Sequence, residues 1–158
     1  MLGTRRVQLV RTGRGNTAGD AIAFIPDAGV LLTGDLVTVP CPFPSAACFS
    51  EWIVALDRLK EMRATRIVPG HGHSMTDYGY NDLVRELLLS TREQARATVR
   101  AGTPVDTLQQ TIDFGSFIQR FGGGDIVRTD AINSFYREPA ARRAFDEAQF
   151  ESQGAILQ

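Results

Sequence analysis

Two histidines occur among the 158 residues, His71 and His73, and both lie in the segment Pro-Gly-His-Gly-His. A mechanism that needs several imidazoles cannot be assembled from this chain by itself. One carboxylate stands in a comparable setting: Asp35 closes the run Val-Leu-Leu-Thr-Gly-Asp, where an apolar strand leaves its sheet. A carboxylate at such a place has to be solvated, hydrogen-bonded or bound to a metal. For one Gly-Asp pair the ordinary reading is a turn aspartate accepting backbone amides, and one histidine in a turn is ordinarily polar surface. Two such groups, at the ends of two strands joined by one helix, point instead to a shared site. Carboxylate oxygen and imidazole nitrogen are ordinary zinc donors, with an open coordination position left for water. Water activated in this way is a nucleophile near neutral pH. Asp35 and His71 are two ligands, half of a metal site.

A third feature precedes them. Gly13 to Asp20 reads Gly-Arg-Gly-Asn-Thr-Ala-Gly-Asp, a glycine-rich turn after a short apolar strand, with Asn16 where a ligand would be presented. As a phosphate loop it lacks the Lys-Ser/Thr ending, and the apolar run after it reads as strand rather than helix. His73, two residues beyond His71, is either a substitute ligand or an exposed turn histidine. Gly70 and its glycine neighbour Gly72 let the backbone fold tightly around His71.

The elements that must position these groups follow from periodicity and turn residues. Arg6–Val10, Ala21–Ile25 and Gly29–Asp35 read as strands, the last two forming a hairpin across Ile-Pro-Asp-Ala-Gly. Pro40, Pro42 and Pro44 exclude a central strand and mark a surface loop that follows Asp35. Ser50 suits the N-cap of a helix over 51–63, with Trp52, Ala55, Leu56, Leu59 and Met62 on one buried stripe. Thr65–Val68 is a buried strand, and a long helix follows over 77–100. Thr103, Pro104 and Asp106 open a further helix. Phe121–Asp125 reads as a flexible joint before two amphipathic stretches, whose charged residues read as solvated faces. Trp52 and Phe49 read as packing residues more readily than as a cleft lining. Cys41 and Cys48 read as free thiols, Cys41 as a small hydrophobe.

Composition bounds the partners. With 17 basic and 18 acidic residues the formal charge is -1, which gives nucleic acid or an anionic membrane no basic excess to neutralise. No apolar run has the length of a membrane span, and the first residues are too short in apolar character for a signal peptide. The compartment stays open: cytoplasmic as the chain stands, periplasmic if a signal peptide precedes it.

Taken in order, the Asn16 turn, the Thr-Gly-Asp strand end, the helix with Trp52 and the Val-Pro-Gly-His-Gly segment resemble the C-terminal half of a metallo-β-lactamase-fold metallo-hydrolase. In that family the three motifs are G-H-T-x-G-D, T-G-D and P-G-H-G, all carrying metal ligands. The resemblance runs from about Arg6 to His71, and the tail through Tyr136 and Pro139 resembles the helical extension of one bacterial branch. It implies an α/β fold: half of an αββα sandwich, one mainly antiparallel sheet with helices on its outer face, plus a C-terminal helical extension. Residues 1–75 would be the C-terminal part of the metallo-β-lactamase-like domain, and 76–158 the extension packed on it. Asp35 matches the aspartate bridging two metals and His71 a ligand of the second metal. Asn16 stands in place of a histidine, as a weak or indirect ligand, and Asp20 matches a structural turn aspartate.

The implied cofactor is zinc, one or two ions in a complete protein, and the implied reaction is attack of activated water on an ester, amide, thioester or phosphoester of a small-molecule substrate. The family's N-terminal H-x-H-x-D-H motif has no counterpart in this sequence. We therefore expect a fragment, a truncated reading frame or one part of a split protein, inactive alone. The strands Ala21–Ile25 and Gly29–Asp35 would then turn apolar surface outward for an N-terminal half or a second copy to cover. The rival reading is a non-catalytic binding or interaction module that keeps the half-fold without metal.

Overall fold

The computed structural model describes residues 3–107 and 111–154. Four strands make one mixed sheet in the order β1-β2-β3-β4: β1 (Gln8–Arg11), β2 (Ala21–Ile25), β3 (Val30–Thr38) and β4 (Arg66–His71). The first two pairings are antiparallel and the third parallel. The hairpin between β2 and β3 turns through a 3-10 turn, Pro26–Ala28, and ends on Gly29 in a left-handed conformation. A parallel neighbour needs a crossover, and α1 (Phe49–Glu61) supplies it between β3 and β4. The strand containing Pro69 runs on to His71, beyond the Val68 end expected from sequence. It can do so because β4 is an edge strand, where a missing amide costs no ladder bond.

Strand alternation sorts the side chains into two faces. Phe24, Leu31 and Ile67 are register partners on the covered face, where Leu31 and Ile67 are buried. Leu9, Ala23, Leu32 and Val68 form the matching row on the other face, one residue from each strand. Leu9 is 80% exposed there and Leu32 38%. That face of the sheet is apolar and open, as the strand sequences led us to expect.

Helices cover the outer face, the one that carries Leu31 and Ile67. Trp52, Ala55, Leu56 and Leu59 of α1 are fully buried, and so are Val84, Leu87, Leu88, Thr91 and Ala95 of α2 (Gly79–Arg100). After a short 3-10 turn at Val105–Thr107 come α3 (Gly115–Gly122), α4 (Ile126–Ala131), a π-helical turn (Ile132–Tyr136) and α5 (Arg137–Ser152). The helix expected from Thr103 is described only as the turn Val105–Thr107; residues 108–110 lie outside the described residues. The joint at Gly122–Asp125 is built from caps, not slack: Gly123 ends α3 at a φ of 56°, and the Asp125 carboxylate accepts from the amides of Val127 and Arg128 to start α4. One continuous core includes Ile22, Leu31, Trp52, Leu88, Ile132, Tyr136 and Ala148, so sheet and tail share it.

Two expectations change at the helix ends. The crossover helix begins at Phe49, with Cys48 in the cap position and no cap from its side chain. Ser50 lies inside the helix, because the amides of Phe49 and Ser50 already donate to Glu147 of α5, at 2.7 and 2.9 Å. Glu147 is therefore not on a solvated face; its side chain is 2% exposed. Among the described residues no helix is long and apolar enough to cross a membrane.

Candidate functional site

The site forms where β3 and β4 end side by side. Leu32 pairs with Val68 and Gly34 with Pro69, but the next partners are Thr38 and His71. On β3 four steps separate Gly34 from Thr38, against two on β4 from Pro69 to His71, so β3 bulges at Asp35. Bulges of this kind re-aim side chains at sheet ends and beside functional sites. Here the bulge brings the Asp35 carboxylate to the His71 imidazole, Oδ1 to Nε2 3.5 Å, both well exposed.

Glycine is required where the strands close up. A Cβ on Gly70 would collide with Asp35 Oδ1 and would sit 2.8 Å from the carbonyl carbon of Gly34. Gly72, just past His71, has a φ of 100° and lies against Val39. Its neighbour His73 is exposed and is not part of the cavity that His71 lines.

The Asn16 turn joins the same place. Cys48 N donates to Gly15 O at 2.9 Å, fixing the turn to the start of α1. Asp20 stiffens it, accepting from Thr17 N at 3.0 Å and from Thr17 Oγ1 at 2.8 Å. Arg14 donates from its backbone amide and from Nε to Glu51 of α1, each at 2.8 Å. The hydrogen bonds from Arg14 hold the Glu51 carboxyl below its ordinary value. Asn16 itself is 8% exposed, and its Oδ1 has no hydrogen-bond partner. A buried carboxamide oxygen without a partner is rare enough to call for a water, ion or ligand.

Asn16, Asp35, Thr38, Val39, Pro40, Cys41, Phe43, His71 and Phe135 together line one cavity of about 480 Å³. The proline loop after Asp35 thus borders it, held by Thr38 Oγ1 to Cys41 O (2.9 Å), Val39 N to His71 O (3.1 Å) and Tyr80 Oη to Thr38 O (2.8 Å). Cys41 and Cys48 are both free and buried. Burial pushes the Cys41 thiol up to about 11, so it is an inert wall at neutral pH. Trp52 and Phe49 are core residues, with Trp52 Nε1 donating to Leu36 O at 3.0 Å behind the bulge. Phe135 is not legible as a lining residue; the one sequence signal is a proline four residues on, Pro139, inside a helical pattern, and in the structure the ring is 55% exposed.

Against a zinc ion, the donors fit in kind: a carboxylate, an imidazole and an orphaned carboxamide oxygen border one cavity. They fall short in number. Among the described residues no group of three or more His, Cys, Asp or Glu side chains is placed to hold a metal, whereas catalytic zinc takes three protein ligands.

No family model and no curated protein matches the sequence. Solved structures do. A metallo-β-lactamase from Pontibacter korlensis superposes with a TM-score of 0.50 at 24% identity, over 56% of this chain and 44% of that one. About half of this chain has the metallo-β-lactamase fold. The metallo-β-lactamase FIM-1 from Pseudomonas aeruginosa, solved in a mono-zinc form, matches at 0.48 and 19% identity over 52% of this chain and 39% of its own. The chain thus spans less than half the length of these metallo-β-lactamases. At such identity the likeness is one of fold, and fold does not carry function.

Proposed function

We propose that this chain is the C-terminal portion of a metallo-β-lactamase-fold hydrolase, with residues 1–75 in the fold proper and 76–158 as a helical extension packed on it. The observation that carries the reading is the meeting of Asp35 and His71, 3.5 Å apart at a β-bulge in a mixed sheet of this fold. Both would hold zinc, with Asn16 as a weak or indirect ligand and His73 in reserve on the adjoining turn. A zinc ion held by these residues together with ligands from a partner half would supply the Lewis acidity for hydrolysis of an ester, amide, thioester or phosphoester. The chain's own residues bind and orient: Asp35 accepts, His71 stays close to it, Gly70 permits their approach, and the proline loop shields one side from water. The remaining ligands would come from a partner half, whose sheet would also cover Leu9, Ala23, Leu32 and Val68. Alone, the chain is expected to hydrolyse little or nothing.

The test is zinc affinity by competition with a chromophoric chelator, in this chain and in a protein completed with an N-terminal half of the fold. Asp35→Ala is expected to abolish uptake, at least about tenfold more damaging than Asn16→Ala, because an amide oxygen is the weaker donor. Equal losses would overturn the ligand assignment.

A second reading has its own support in the incomplete donor set and the open apolar row. The chain would then be a metal-free interaction module pairing through that sheet face. Size-exclusion chromatography with metal analysis separates the two: a zinc-free oligomer favours the module, a stoichiometric zinc in a discrete complex the hydrolase.

A further inference from the structure

The cavity beside Asp35 and His71 is lined by two unlike sets of residues. Asn16, Asp35 and His71 supply polar groups; Val39, Pro40, Cys41, Phe43 and Phe135 supply apolar surface. The two phenylalanines come from parts of the chain far apart in sequence, the proline loop and the π-helical turn of the tail. Their rings meet edge to face, centroids 6.2 Å apart and planes at 76°. Each nevertheless remains about half exposed, 49% for Phe43 and 55% for Phe135. Aromatic side chains that touch one another and still face a cavity leave apolar area for a ligand to cover.

Phe135 reaches this place for a local reason. Pro139 has no amide to donate to the Phe135 carbonyl, so regular α-helical bonding fails there and the turn Ile132–Tyr136 is π-helical. Its flanks are fixed. Ile132 and Tyr136 are fully buried, and Tyr136 Oη lies 3.0 Å from Thr91 Oγ1 of α2. The loop partner is equally fixed, through Thr38 Oγ1 to Cys41 O. The wall is a preformed surface carried on rigid neighbours.

We infer that Phe43 and Phe135, with Val39 and Pro40, form the subsite for an aryl or alkyl group of the substrate, so that the substrate class is small amides or esters bearing an apolar acyl group. The bond to be cleaved would lie beside Asn16, Asp35 and His71 and the apolar group on the aromatic pair. A volume of about 480 Å³ holds a molecule of that kind. Among the described residues the cavity lining holds no Lys or Arg, so a phosphate or a polyanion has no cation there to pair with. The tail therefore contributes to specificity as well as to the core. This rests on the hydrolase reading for the fate of the bond, but the apolar subsite itself needs no metal.

The test is binding of two probes, phenylacetamide and acetamide, to the full chain in the presence of a metal chelator, followed by NMR shifts of the Phe43 and Phe135 rings. Phenylacetamide is expected to bind at least about tenfold more tightly, the scale of one aromatic contact. Phe43→Ala and Phe135→Ala should each erase most of that preference, and Phe135→Leu should restore part of it. Thermal unfolding of each variant checks that the chain still folds; both side chains are half exposed, so it should. Equal binding of the two probes, no shift at either ring, or a preference that survives both alanine variants overturns the subsite. Failure of zinc uptake alone would instead strike the hydrolase reading and leave the subsite standing.

Discussion

The carboxylate of Glu147 accepts the backbone amide of Phe49 at 2.7 Å, across 98 residues of chain. It takes the amide of Ser50 as well, and so occupies the positive end of α1 with a buried charge. Arg92 of α2 lies on its other side, Nε to Oε1 3.4 Å, and Arg143 of α5 donates to Ala47 O at 2.8 Å. The tail thereby clamps the segment that joins the proline loop to α1.

Removing that clamp should be expensive. In Glu147→Ala one buried and one half-buried amide lose their acceptor and Arg92 loses a counter-charge, which together cost about 3 kcal/mol. Urea denaturation should show a lower midpoint at an unchanged slope. A loss below about 0.5 kcal/mol, the size of an ordinary surface change, would mean that the cap contributes nothing.

The sequence made part of this legible and hid the rest for definite reasons. The helix carrying Trp52, Leu56 and Leu59 declares itself because helical spacing is local, as do the apolar runs of β2 and β3. Asp35 and His71 were identifiable as strand-end groups with a common setting; the bulge that joins them is a matter of register between strands, which no single strand encodes. Glu147 was read as a solvated tail residue because its partners, Phe49 and Ser50, lie in another third of the chain. Phe135 is hidden differently: it continues a helical pattern, and its place at the cavity depends on a π-helical turn that helical spacing does not signal.

Glu51 makes stability depend on pH. Hydrogen bonds from the Arg14 side chain and backbone hold its carboxyl below the ordinary 4.5, so the folded state favours the charged form. A group depressed in this way contributes stability that is complete above its unfolded value and is lost as pH falls through its folded value. Glu151 is also depressed; burial works against this, but hydrogen bonds from Arg96 and Arg92 prevail. Melting temperatures of the native chain should fall below about pH 4.5. The gap between native and Glu51→Gln should be constant above the ordinary carboxylate range and shrink as pH falls below it. A gap independent of pH would remove Glu51 from the acid response.

Gly70 offers the sharpest separation of site from scaffold. A methyl group there meets Asp35 Oδ1 and the backbone of Gly34, on the edge where β4 closes against the bulge. The backbone carbons cannot yield as a flexible side chain would, so Gly70→Ala must push β4 outward or displace Asp35 from His71. Overpacking of this kind costs about 2 kcal/mol. Gly19 serves as the control, since a Cβ there meets nothing within 4 Å and Gly19→Ala should stay within about 0.5 kcal/mol of the native chain. The His71 ring resonances in NMR should move in Gly70→Ala and not in Gly19→Ala, because only the first alters what the imidazole faces. If the His71 resonances and the stability of Gly70→Ala both match the native chain, the tight approach of the two strand ends is not what places Asp35 beside His71.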